Sequence, residues 1–112
     1  MNQLERISEI IATYSKHGWR LERVLLRSST AQELNDAARE IFETAAVREA
    51  TVDALWFARP SHAGREAWEL RLLAETPYAL FETFEADETE EEREEVRREM
   101  EARLAESQEA RS

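Results

Sequence analysis

The sequence predicts an α+β fold, a single small domain with a mostly antiparallel sheet of about four strands and helices packed on one face. The predicted order is α-β-α-β-β-β-α. Three observations lead there. Two segments repeat apolar residues at helical spacing behind capping signals. Four short runs are dense in strand-forming residues. The chain has 112 residues, which fits one domain and leaves little room for two.

The first helix is predicted over 3–16. Asn2 and Glu5 have capping-box spacing, and Leu4, Ile7, Ile11 and Tyr14 recur on one face. Gly18 suits the left-handed residue that closes a helix. "GWRLERVLLR" then predicts a strand over 19–27, with Trp19, Leu21, Arg23 and Leu25 on one face. Thr30 and Glu33 repeat the capping-box spacing, and Leu34, Ala38, Ile41, Phe42 and Ala45 extend a second helix over 31–46. "TVDALWF" and "EAWELRLL" predict an antiparallel strand pair around the loop "PSHAG". The segment 78–84 reads as a further strand on its aromatic content. The segment 87–112 reads as an acidic helix, with acids in its first turns and arginines later. Its apolar stripe is only Val96, Met100 and Leu104, which predicts docking by one edge, on its own domain or on a partner. The chain thus divides into an α+β core at 1–86 and this acidic helix.

Composition narrows the function. Net charge is −10, and 87–112 alone holds 11 acids against 5 bases. A negative field repels phosphate backbones, so no nucleic-acid partner is expected. There is no cysteine, which removes disulfides and thiolate zinc sites and fits a reducing, cytoplasmic setting. No run approaches the ~20 apolar residues of a membrane span. Two histidines in separate segments, no glycine-rich phosphate loop and no acid-rich calcium loop predict no metal and no cofactor.

One motif carries chemistry. Asp53 stands at the start of one strand, and Glu69 and Arg71 share a face of the next. The arrangement resembles the restriction-endonuclease-like nucleases, in which an Asp on one strand precedes Glu-x-Lys on the next. The resemblance covers residues 10–73 at most. It implies that Asp53 and Glu69 hold magnesium and that the third position assists the attacking water. Arg71 stands where that family has lysine, and an arginine does not readily exchange a proton. The alternation of a half-buried strand accounts for the same letters without any chemistry.

Two further surfaces suggest themselves. Arg59, His62 and Arg65 cluster around the hairpin tip, a pattern that suits an anion or merely a wet loop. Trp19, Trp56 and Trp68 suit the core, and any exposed one would mark a contact. The leading expectation is a small acidic, non-enzymatic protein-interaction domain of inhibitor, immunity-like or adaptor type, with a protein partner or a second copy. The alternatives are a nuclease-like domain using Asp53 and Glu69, and a small-ligand binder using tryptophan.

Overall fold

A computed structural model describes residues 3–34, 36–42 and 45–111, without the side chains of 36–38 and 109–111. The α+β class holds. Helix α1 (Gln3–Lys16) leads into strand β1 (Arg20–Leu26), followed by helices α2 (Ser28–Glu33) and α3 (Asp36–Phe42). Strands β2 (Ala46–Glu49), β3 (Ala54–Pro60), β4 (Glu66–Leu72) and β5 (Ala79–Phe84) come next, and helix α4 (Glu90–Arg111) follows. The sheet has five strands in the order β2-β1-β3-β4-β5. All neighbours are antiparallel except β1 and β2, which run parallel.

The helices lie on both faces of this sheet, not on one. Ala54, Trp56 and Ala58 of β3 join Trp68, Leu70, Phe84, Met100 and Leu104 in one core. Leu55 and Phe57 of the same strand join Ile7, Val24, Leu26 and Phe42 in another. Successive side chains of a strand point to opposite faces, so these are two layers with the sheet between them. An uninterrupted apolar strand needs cover on both sides, and β3 is buried from Ala54 to Ala58.

Local chemistry explains most elements. In α1, Ile7 is fully buried, and Gly18 takes φ +84° just past the end. The predicted Asn2 cap lies outside the described residues. The second predicted helix is shorter and broken: Leu34 is already extended at φ −85°, ψ 129°. Thr30 is not its cap. The helix starts earlier, at Ser28, and the Thr30 hydroxyl donates to Asp53 Oδ2 at 2.7 Å. Only Ala46, the last residue of that predicted helix, falls in β2; the strand's four residues are all exposed and carry no periodic signal.

A bulge at Glu22 breaks the predicted face of β1. Leu21 stands opposite Phe57, but Arg23 stands opposite Trp56. The extra residue turns Arg23 and Leu25 toward α4, while Leu21 packs with α1. The hairpin between β3 and β4 closes through a short turn at His62–Gly64, with Ala63 and Gly64 at φ 56° and 77°.

Helix α4 sits deeper than a narrow stripe predicts. Met100 and Leu104 are buried in the tryptophan core, and Val96 packs against it. Arg97 widens the stripe. It is 1% exposed, with its guanidinium 3.9 Å from the Trp68 ring centre and its charge met by Glu90 and Glu94. An arginine whose stem and plane cover aromatic rings acts as part of an apolar face.

Candidate interaction surface

The acid pair of the nuclease-like motif does not converge. Glu69 stands opposite Phe57, while Leu73 N–H donates to Asp53 C=O. The two acids are therefore four residues out of step, roughly 13 Å along the strands. Asp53 is 5% exposed, and its carboxylate is occupied. It accepts the Arg27 backbone N–H at 2.8 Å, the Arg27 guanidinium at 3.1 and 3.2 Å, and the Thr30 hydroxyl. It thereby ties the start of α2 to the start of β3. Among the described residues, no group of three or more His, Asp or Glu is placed to hold a metal ion.

Glu69 belongs to a different cluster. Tyr14, on the last turn of α1, stacks on Phe57 with centroids 4.0 Å apart and planes 8° from parallel. Its hydroxyl donates to Glu69 Oε2. Burial, then the carboxylate beside it, pushes the Tyr14 hydroxyl well above the ordinary phenol range, so it stays a donor. Arg71 shares that face, two residues further along β4. Its Nε is buried and lacks a hydrogen-bond partner.

Trp19, half-buried at the entry to β1, joins this cluster to the surface. Tyr14 meets it edge-on at 6.1 Å, and the Arg59 guanidinium lies 4.4 Å over its ring. Arg59 also donates to the carbonyl of His17 at 2.9 Å. On the other side Phe81 meets Trp19 edge-on at 6.3 Å. Phe81 stands on edge strand β5 opposite Glu69 and is 57% exposed. A cavity of about 480 Å³ opens beside Trp19, between α1, β1 and α3, with Ile11, Leu21, Ile41 and Phe42 in its walls.

The hairpin-tip cluster does not come together as one anion site. Arg59 turns to Trp19 and His17, Arg65 pairs with Glu85 at 2.6 Å, and His62 is exposed in the turn. Trp56 and Trp68 are core residues, 0% and 6% exposed. Their indole N–H groups donate to Glu101 and Glu66. Met100 and Leu104 face their own sheet. The residue that sequence reading passed over is Phe81. Its signal was present in "ALFETF", where alternation pairs Phe81 with Ala79 and Thr83 rather than with Leu80 and Phe84.

Comparison with protein-family models, with curated proteins and with solved structures finds no match to this chain. The functional reading therefore rests on the geometry alone. No helix among the described residues is long and apolar enough to cross a membrane.

Proposed function

We propose that the chain is a small acidic protein-interaction domain without catalysis of its own, acting in the cytoplasm in an inhibitor, immunity-like or adaptor role. Its contact surface is the open sheet face around Phe81 and Trp19. One observation carries the reading: Phe81, a large apolar side chain on an edge strand, is 57% exposed beside a second aromatic ring. Exposed aromatic residues backed by a rigid sheet are what binding hot spots are made of. Arg71 and Glu69 lie on this face beside Phe81, and Arg59 covers Trp19. A nucleic-acid partner remains disfavoured by the charge of −10.

The test is a photo-crosslinking residue, benzoylphenylalanine, in place of Phe81 in cells that carry the protein. One adduct of defined mass is expected. The same residue at the exposed Thr51 serves as control. No adduct at 81, or the same smear from both positions, would sink the reading.

The cavity beside Trp19 favours a second reading, a small-ligand site. Its volume lies within the roughly 300–1,000 Å³ range of ligand pockets. Apolar ligands that quench Trp19 fluorescence saturably, and fail to do so in Ile41→Glu, would support it.

A further inference from the structure

We propose that β5 pairs edge to edge with β5 of a second copy, antiparallel, about a two-fold axis at Leu80. This rests on the interaction reading above and names the occupant of its surface.

The backbone fixes which groups of β5 are free. Leu72 N–H donates to Tyr78 C=O at 2.9 Å, and the same register sets Leu80 opposite Leu70 and Glu82 opposite Trp68. Hydrogen-bonded positions alternate along an antiparallel pair. Leu80, Glu82 and Phe84 therefore turn their backbone groups toward β4, and Ala79, Phe81 and Thr83 turn theirs outward. One outward donor is already used, because Thr83 N–H donates to the carboxylate of its own neighbour Glu82 at 3.0 Å. On the other side Pro77 has no N–H at all. The open window is two residues long, Ala79 and Phe81, and Leu80 is its midpoint.

A window of that form is its own complement, which is what a two-fold interface requires. With the axis at Leu80, Ala79 of each copy meets Phe81 of the other. Four backbone hydrogen bonds then form without disturbing the Glu82 cap. Large lies across small where Phe81 covers the facing Ala79, and on the opposite face Leu80 meets Leu80. Glu82 faces Tyr78, so acid does not meet acid although each chain carries −10. Shifting the axis to Phe81 would set Ala79 against Thr83, whose donor is taken, and that register is the poorer one.

The test is the mass of the full chain by sedimentation velocity from about 10 µM to about 1 mM, a range that covers weak to moderate dimers. The expected result is a rise from one 13.1 kDa chain toward two. Ala79→Pro removes an outward N–H and leaves the β4 ladder whole, and Phe81→Ser removes the covering ring. With circular dichroism confirming that each still folds, both variants are expected to weaken association by about tenfold or more. A single-chain mass throughout, or a dimer that both variants leave unchanged, overturns the inference. The crosslinking residue at 81 separates the two readings. An adduct of two copies supports both, an adduct with a different protein overturns self-pairing and keeps the interaction surface, and no adduct removes both.

Discussion

Asp53 shows how one residue type takes opposite roles according to what reaches it. The letters around it suit a metal ligand, but the fold spends its carboxylate on the Arg27 N–H, the Arg27 guanidinium and the Thr30 hydroxyl. Asp53→Ala leaves the buried Thr30 hydroxyl and the Arg27 N–H without their acceptor, so a loss of about 2–4 kcal/mol is expected in urea unfolding. The salt bridge adds little, because the Arg27 side chain is 58% exposed. Magnesium should not raise the melting temperature of either form. A magnesium-dependent stabilisation that vanishes in Asp53→Ala would restore the nuclease-like reading. At this scale the sequence was legible where burial alone decides a residue's role. Trp68 alternates with Leu70 and Leu72, and it is buried with them. It was illegible where a partner lies far along the chain. Nothing near Thr30 announces that Asp53 will take its hydroxyl.

Elements were legible in proportion to their own periodicity. Helix α1 and strands β3, β4 and β5 fall within a few residues of their predicted spans, because each carries its pattern in its own side chains. Strand β2 does not, since it is held by backbone pairing to β1 and by the Arg48–Glu101 bridge. The two-sided cover of the sheet was legible in principle, from the unbroken apolar letters of β3. Helix α4 docks through its stripe of Val96, Met100 and Leu104 and is buried more deeply than that stripe alone suggests, because Arg97 does the work of an apolar residue. Its neighbour Glu94 offers a test of that packing. A hydrogen bond from Arg23, reinforced by one from Arg97, holds the Glu94 carboxyl below its ordinary range despite partial burial. A carboxylate depressed in the folded state stabilises above its unfolded pKa, and that contribution disappears as pH falls through the folded value. Glu94→Gln should therefore lower the urea midpoint more at about pH 7 than at a pH low enough to protonate the folded carboxyl. An equal gap at both pH values would mean that Glu94 acts through shape and not charge.

The whole molecule combines a net charge of −10 with an exposed aromatic side chain, Phe81, on its edge strand β5. Arg93 and Arg97 of α4 turn inward, so the acids of that helix outweigh its bases at the surface more than composition suggests. Crowded like charges weaken both the folded chain and any pairing of two copies. Raising salt from about 0.01 M to about 0.15 M shortens the screening length from about 30 Å to about 8 Å. Melting temperature and self-association are both expected to rise over that range. A fall in melting temperature would show that the surface ion pairs outweigh the repulsion. The burial of Trp56 and Trp68 beneath α4 also bears on synthesis. Translation lays down all five strands before the helix that covers them. Without that helix the sheet shows an apolar, tryptophan-bearing side. A ribosome that stalls between β5 and α4 therefore leaves a product that chaperones and proteases recognise by its uncovered indoles, whatever the state of the other face.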